Sequence, residues 1–160
     1  MNKVYLDGYN FILRNQILSR IFKGQPHLAR EKLKSLLQEY AIRKKITIIV
    51  VYDSREKLPG EGSVSSGYRY KEVFVKDADS YLRKVMERPR STHGITIVSS
   101  DVSDVVLPAK ARGVNVISSE EFTRKLRKMG RRERKDYEKP SPPSGEELED
   151  WIRYFEGEST

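Results

Sequence analysis

The sequence contains no cysteine, only two histidines and no long apolar run. The absence of cysteine excludes disulfides, thiolate nucleophiles and thiolate metal sites, and it is typical of a protein from a reducing compartment. With His27 and His93 as the only imidazoles, a histidine-rich zinc site is also disfavoured. A metal bound by this chain should therefore be a hard cation held through oxygen atoms.

No stretch approaches the roughly 18 apolar residues that a membrane-spanning helix requires. Met1, Asn2 and Lys3 lead directly into an apolar segment. We therefore expect no membrane segment, no signal peptide and a cytoplasmic location. A chain of 160 residues, of which 37% are hydrophobic, predicts one globular domain with a proper core.

The net charge of +8 is distributed unevenly along the chain. Residues 124–139 hold nine Lys/Arg and three acids, whereas residues 140–160 hold one Arg and six acids, which leaves +7 on residues 1–123. A basic body favours a polyanionic partner, most often nucleic acid. The alternative is a solvated, highly charged surface of the kind found in heat-adapted proteins.

Apolar, β-branched runs alternate with helical patterns along the first 130 residues. The predicted strands cover residues 3–7, 46–52, 73–75, 95–99 and 114–117. The predicted helices cover residues 11–22, 27–45, 78–88, 102–112 (kinked at Pro108) and 118–129. This alternation favours an α/β sandwich with a mostly parallel sheet.

Two segments do not fit the alternation. Residues 54–72 read as a long polar loop, a length that often signals function or disorder. Gly130 is expected to end the last helix, so that residues 1–130 form the domain. Residues 131–160 then form a basic linker and a short acidic helix at residues 145–156, which we expect to dock on the body or on a partner.

Aspartates follow three of the apolar strands. "VYLD" ends in Asp7, "IIVVYD" ends in Asp53, and "TIVSSD" reaches Asp101 two serines after its strand. Ligands of open parallel sheets bind outside the carboxyl ends of the strands. Asp79 opens a helix at the same expected edge, and Asp104 lies one helical turn after Asp101. These acids are therefore expected to cluster.

Taken singly, each acid has a structural explanation. Asp7 suits a turn, Asp79 and Asp101 suit helix N-caps, and Asp53 opens a loop. Together they would repel each other and raise each other's pKa, which a fold tolerates when a cation neutralises them. Mg²⁺ or Mn²⁺ fits oxygen ligands and activates water at phosphorus. Asn10 could bind a metal-bound water or a phosphate oxygen without adding charge.

Five motifs in a fixed order carry a resemblance to a known family. They are "LDGYN", "VVYDS", "DADSYL", "VSSDVSD" and "ARGVNVISSEEF". Over about residues 1–130 the chain resembles the YacP-like branch of the NYN domains, within the PIN-like ribonuclease superfamily. The resemblance implies a three-layer α/β/α PIN-like sandwich and metal-dependent endoribonuclease activity. Members of this branch are linked to cleavage of messenger RNA on ribosomes.

Carried over motif by motif, the resemblance implies a site at the strand ends. The implied metal ligands are Asp7, Asp79, Asp101 and Asp104, with Asn10 as the partner of Asp7. Asp104 replaces a residue that is usually glutamate in this branch, so its reach is one methylene shorter.

Two further acids depart from the pattern of the family. Asp77 stands where threonine is common, and serves either as an added ligand or as a helix cap. Asp53 lies in "YDS" where "FDA" is usual, which implies a position behind the ligands or on the substrate side. The residues expected to hold RNA are basic and come from the polar loop and the basic segment: Arg55, Lys57, Arg69, Lys71, Arg124, Arg127, Lys128 and Arg131.

Two other functions compete with a nuclease. One is a non-catalytic RNA- or ribosome-binding module on the same fold. The other is a receiver-like domain phosphorylated on Asp53, which the large positive charge disfavours. The complete acid set favours the nuclease. The acidic helix at residues 145–156 could also cover the basic residues 124–135 and restrain RNA binding. The oligomeric state is not predicted.

Overall fold

A single six-stranded sheet forms the centre of the computed structural model. It describes residues 2–54, 64–87 and 94–136, with the side chains of residues 64–66 and 131–136 left out. The strands are β1 (Lys3–Asp7), β2 (Thr47–Asp53), β3 (Val64–Gly67), β4 (Tyr70–Val75), β5 (Ile95–Val98) and β6 (Asn115–Ile117). Their order across the sheet is β3-β4-β2-β1-β5-β6. All neighbours pair in parallel except β3, which runs antiparallel to β4 at the edge.

Helices connect the strands. They are α1 (Gly8–Arg14), α2 (Gln16–Gly24), α3 (Pro26–Lys44), α4 (Ala78–Met86), α5 (Leu107–Ala111) and α6 (Ser119–Asp136). A π-helical turn, Val102–Val106, leads directly into α5, and the N–H of Val106 donates to the carbonyl of Asp101 at 2.9 Å. None of the helices in the described ranges is long and apolar enough to span a membrane.

Side chains of the central strands alternate between two separate cores, as the pleat of a strand requires. Leu6 and Val50 pack with the apolar faces of α1, α2, α3 and α6. Tyr5 and Val51 pack with α4 and α5 on the opposite face of the sheet. The predicted α/β/α sandwich with a mostly parallel sheet is therefore confirmed.

The first strand of the sequence lies in the middle of the sheet. Asp7 pairs with Val51 of β2, and Leu6 pairs with Val98 of β5. The five parallel strands consequently end at one edge, the carboxyl edge, where loops from distant parts of the sequence meet.

The predicted helix over residues 11–22 is in fact two helices. Its pattern begins earlier, at Gly8, and it breaks at Asn15. The side chain of Asn15 accepts a hydrogen bond from the N–H of Leu18 at 3.0 Å and so caps α2. Asparagine inside an apolar helical pattern marked this break.

The predicted loop over residues 54–72 was partly wrong, because it contains β3 and the first half of β4. Ser65 pairs with Glu72 across the hairpin, and its turn places Arg69 at a left-handed φ of 59°. Serines on an edge strand carry little of the alternating apolar pattern that signals a strand.

The predicted helix stop at Gly130 was also wrong, because α6 continues to Asp136. A glycine inside a helix costs about 1 kcal/mol relative to alanine, which does not end a helix by itself. The arginine and lysine residues that follow are good helix formers. The predicted acidic helix at residues 145–156 lies outside the described residues.

Candidate metal centre

Three aspartates converge at the carboxyl edge. Asp79, Asp101 and Asp104 each offer a carboxylate oxygen, and these oxygens all lie within 4.8 Å of one another. Asp79 and Asp101 are half-buried and Asp104 is exposed. We call these three residues the open trio. Asp79 comes from α4, whereas Asp101 and Asp104 follow β5, so the sheet is what brings them together.

Local hydrogen bonds fix the loops that carry the trio. Asp101 accepts the N–H of Asp104 at 3.2 Å and so caps the π-helical turn. Asp77, not Asp79, caps α4, because its Oδ1 accepts the N–H groups of Asp79 at 3.1 Å and Ser80 at 3.3 Å. The cap alternative for Asp77 is therefore confirmed, and the carboxylate of Asp79 faces the other two acids instead of capping its own helix.

Mutual repulsion within the open trio is visible in the pKa of Asp79. Its pKa is raised by partial burial and then by the charges of Asp101, Asp104 and Asp77, while Arg83 lowers it. A divalent cation would relieve this repulsion. Mg²⁺ and Mn²⁺ bind carboxylate oxygens and keep several waters, so three converging carboxylates fit such an ion.

Asp7 lies beside the trio but is buried. Its side chain ends β1 and is only 8% exposed, and the hydroxyl of Ser99 donates to its Oδ2 at 3.3 Å. Burial, followed by the charge of Asp79, raises the pKa of Asp7 to about 7, while the Ser99 hydrogen bond lowers it. Asp7 does not belong to the group of three converging oxygens found among the described residues.

The loops after β5 and β6 have the same local pattern, two serines followed by an acid: Ser99-Ser100-Asp101 and Ser118-Ser119-Glu120. The Ser99 hydroxyl, besides donating to Asp7, accepts the N–H of Asp101 at 3.1 Å. It therefore connects the buried acid to the trio.

Ser100 connects the two loops. Its hydroxyl donates to Oε1 of Glu120 at 2.7 Å and accepts the N–H of Ser119 at 3.0 Å. Glu120 also lies 3.7 Å from the guanidinium of Arg14, an exposed ion pair. The sequence interpretation overlooked Glu120 and both serine pairs as site residues. The repeated Ser-Ser-acid pattern after neighbouring strands was the available signal.

Asn10 holds both loops against α1. Its Oδ1 accepts the N–H of Ser100 at 3.0 Å and the hydroxyl of Ser119 at 2.9 Å. Because a backbone N–H can only donate, the oxygen must face Ser100. The side-chain oxygen of Asn10 thus holds the two loops, and its contact with a metal-bound water or a phosphate oxygen stays a prediction.

Gly8 and Tyr9 of the "DGYN" motif belong to the core. A Cβ on Gly8 would lie 2.5 Å from Cε1 of Tyr52, so only glycine leaves room for that ring. Tyr9 is 6% exposed, and its ring centroid lies 4.8 Å from that of Tyr52 and 5.6 Å from that of Phe22, so it is a core residue.

Several predicted substrate-binding residues do not lie beside the trio. Lys71 and Arg69 are at the amino end of β4, since neighbouring Tyr70 pairs with Ile48 near the start of β2. At roughly 3.3 Å per residue, Lys71 lies about 13 Å along the strand from its carboxyl end. The two cations therefore do not flank the acids, and their contact with RNA stays a prediction.

The other predicted contacts divide into three groups. Asp53 ends β2, is half-buried and is not one of the converging acids of the described residues, which weakens the receiver-like alternative. Of the predicted RNA contacts on α6, Arg124 and Lys128 are exposed and Arg127 is half-buried, and Arg131 lies on the same helix. Arg55 and Lys57 lie outside the described residues.

Comparison with known proteins supports the same fold. A family model described as the YacP-like NYN domain matches residues 4–155, and so extends beyond residue 130, where we expected the resemblance to end. The crystal structure of a mutant of Rae1 (YacP) from Bacillus subtilis aligns with a TM-score of 0.68 and 21% identity, over 96% of this chain and 92% of that one.

A second crystal structure of Rae1 (YacP) from Bacillus subtilis aligns with a TM-score of 0.69 and 22% identity, over 85% of this chain and 79% of that one. No curated protein matches this sequence. At these identities the two solved structures establish the fold.

Proposed function

We propose that this chain, which belongs to the YacP-like NYN domain family, is an endoribonuclease that depends on Mg²⁺ or Mn²⁺. The observation that carries the proposal is the convergence of the three trio oxygens within 4.8 Å of one another. They lie at the edge where parallel α/β sheets bind ligands. The family membership supports a nuclease, and with it RNA as the substrate.

The acids have two proposed tasks, binding the ion and attracting it. Asp79, Asp101 and Asp104 hold the ion, and the nearby charge of Asp7 adds to its attraction. When bound, such an ion orients a water, lowers the pKa of that water and stabilises the charge that develops on the phosphate. Ser99 holds Asp7 and the Asp101 backbone in place, so that the acids keep their spacing during the reaction.

The basic body binds the substrate in this proposal. The net charge of +8 favours the phosphate backbone. The charge of Arg83 acts on Asp79, Arg14 lies beside Glu120, and Asn10 offers its amide nitrogen. The exposed cations of α6, Arg124 and Lys128, extend the basic surface. Messenger RNA on ribosomes, in the cytoplasm, is the proposed setting, supported by the family resemblance.

The test is RNA cleavage by the purified full chain with Mn²⁺, with Mg²⁺ and with EDTA, each with and without ribosomes. Asp101→Asn removes a ligand charge but keeps the oxygen that caps the π-helical turn. We expect it to lower the cleavage rate by about 100-fold or more, as loss of a key electrostatic group does.

Asp77→Asn is the matched control. It also keeps an oxygen that caps a helix and it removes the same charge, yet Asp77 is not one of the converging acids. Equal cleavage by Asp101→Asn and wild type would contradict the proposal. Absence of cleavage under all conditions, with tight salt-sensitive RNA binding, would instead favour the non-catalytic binding module.

A further inference from the structure

A cavity of about 370 Å³ lies next to the trio, where β5 and β6 end. Its volume is at the lower end of the range for small-molecule sites, roughly 300–1,000 Å³. Ser100 and Val102, which line it, are the two residues that flank Asp101 in the sequence. Whatever the cavity holds is therefore adjacent to the proposed metal site.

The wall of the cavity is apolar on two sides. Val102 and Val106 come from the π-helical turn, and Val116 and Ile117 come from β6. Val102 is 59% exposed, which is unusual for a valine and places an apolar surface at the cavity rather than in the core. Apolar walls of this kind suit the flat face of a nucleobase.

The polar groups of the cavity favour hydrogen-bond donors. Glu120 and Glu121 both line it, and ionised carboxylates only accept hydrogen bonds. Glu120 is already engaged by Ser100 and Arg14. The backbone N–H of Glu121 donates to Ser118 at 3.0 Å, while its exposed carboxylate has no partner among the described residues. The carboxylate of Glu121 is therefore the acceptor that remains for a hydrogen bond from a ligand.

Bases differ in what they offer to a carboxylate. Cytosine, adenine and guanine carry an exocyclic amino group, and a glutamate accepting from the cytosine amine is a known pairing. Uracil instead places an oxygen on each side of its single N–H, and these oxygens would be repelled. Lys110, exposed at the same cavity, supplies a cation for a neighbouring phosphate.

We propose that this cavity holds one base of the RNA, adjacent to the phosphate at the trio, and that Glu121 favours an amino-bearing base over uracil there. The inference rests on the proposed ribonuclease function for its substrate. It adds a specificity determinant that the acids themselves do not provide.

The first test measures binding without cleavage. The full chain, free of divalent ions, is titrated with cytidine and uridine 5′-monophosphate while the backbone amide NMR signals are followed. We expect cytidine monophosphate to shift the signals of Val106, Ile117 and Ser118 at lower concentration than uridine monophosphate. Val102→Trp, which fills the cavity, should abolish these shifts. Ile42→Trp, at a similarly exposed apolar position on α3, should leave them unchanged.

The second test measures base selection during cleavage. RNA substrates that differ only in a cytosine or a uracil next to the cleaved bond are compared in the presence of Mn²⁺. We expect wild type to prefer cytosine by about fivefold to tenfold, the lower end of what one such contact discriminates. Glu121→Gln should remove the preference. Glu87→Gln, an exposed glutamate beyond the cavity, should retain it.

The outcomes separate the two proposals. Cleavage with no base preference, or with a preference that Glu121→Gln leaves intact, overturns the base site and leaves the nuclease. Cavity shifts with cytidine monophosphate but no cleavage contradict the nuclease and still support the base site. Nucleotide binding that Val102→Trp does not weaken overturns the assignment of the base to this cavity.

Discussion

Asp7 and the open trio lie at the same edge of the sheet, but their surroundings are opposite. Asp7 ends a buried strand, is 8% exposed and is fixed by a hydrogen bond from Ser99. The trio lies on helix starts and loops, where Asp104 is exposed. The comparison shows two ways of placing negative charge. The sheet sets the position of Asp7 at a cost in desolvation, whereas the loops leave the trio open to an ion.

The largest expected effect comes from removing the buried charge. The pKa of Asp7 rises from 3.8 to about 7 on folding, so between these values the folded chain keeps a proton that the unfolded chain has released. The free energy of unfolding contributed by Asp7 therefore falls as the pH rises through this window.

Asp7→Asn should accordingly gain stability relative to wild type between pH 4 and pH 8. At 1.36 kcal/mol for each pKa unit, the gain amounts to about 4 kcal/mol at most. Urea unfolding in EDTA at several pH values measures it. Parallel stability profiles for the two proteins would show that Asp7 is not held in a costly ionised state.

The next largest effect concerns the packing of Gly8, which follows Asp7 in the sequence, against the ring of Tyr52. A Cβ in Gly8→Ala would lie 2.5 Å from the Tyr52 ring and 3.0 Å from Cγ1 of Val50. The ring cannot retreat, because Tyr9 and Phe74 pack on it at 4.8 and 5.1 Å. We expect a loss of about 3 kcal/mol, the upper part of the usual overpacking range.

Gly24→Ala is the control for that loss, since no atom lies within 4 Å of its Cβ position at the end of α2. It should be neutral or slightly stabilising. Chemical denaturation compares the two variants. Similar stabilities for Gly8→Ala and Gly24→Ala would mean that the side chains packed against Gly8, next to Asp7, can adjust.

Metal binding at the open trio should stabilise the folded chain. Mn²⁺ at 100 times its dissociation constant should stabilise the folded chain by about 2.7 kcal/mol, which raises Tm by about 5–10 °C in a domain of this size. Differential scanning calorimetry with Mn²⁺ and with EDTA measures the shift. Asp79→Asn should lose most of it and Asp77→Asn should keep it. An equal shift in both variants would place the ion elsewhere.

The smallest expected effect concerns Asn10, which holds the loops after β5 and β6 together. Asn10→Ala removes two hydrogen bonds, to Ser100 and Ser119, and should cost about 1–2 kcal/mol. Asn115→Ala, which removes one exposed hydrogen bond to Thr96, should cost less than about 0.5 kcal/mol. Thermal unfolding distinguishes the two. Equal losses would remove Asn10 from its role as the connection between the loops.

The sequence could predict the sandwich and the edge at which the acids meet. Strands such as residues 46–52 are almost continuously apolar, which favours a sheet covered on both faces. The position of Asp7, Asp79 and Asp101 after or near strand ends then places them together. Both predictions depend on the apolar pattern of the strands and on the order of residues along the chain, and a sequence displays these directly.

Other features depend on which of several suitable residues or segments takes a given position, and a sequence does not display that choice. Asp77 and Asp79 both suit a helix cap, and only the loop geometry decides that Asp77 takes it. The β3–β4 hairpin is held by backbone pairing, so Ser65 and Ser66 give little side-chain signal. Lys71 was likewise placed in a loop, although it belongs to β4.

The central position of β1 has a consequence for how the molecule is made. This strand is synthesised before the other strands of the sheet, yet one of its two partners is β5, and Asp7 and Ser99 are 92 residues apart. Contacts over such a separation form late and slow folding. A nascent chain that stops before residue 101 carries Asp7 and Asp79 but lacks Asp101 and Asp104. Incomplete chains therefore cannot assemble the trio, and the chemistry proposed here waits for nearly the whole domain.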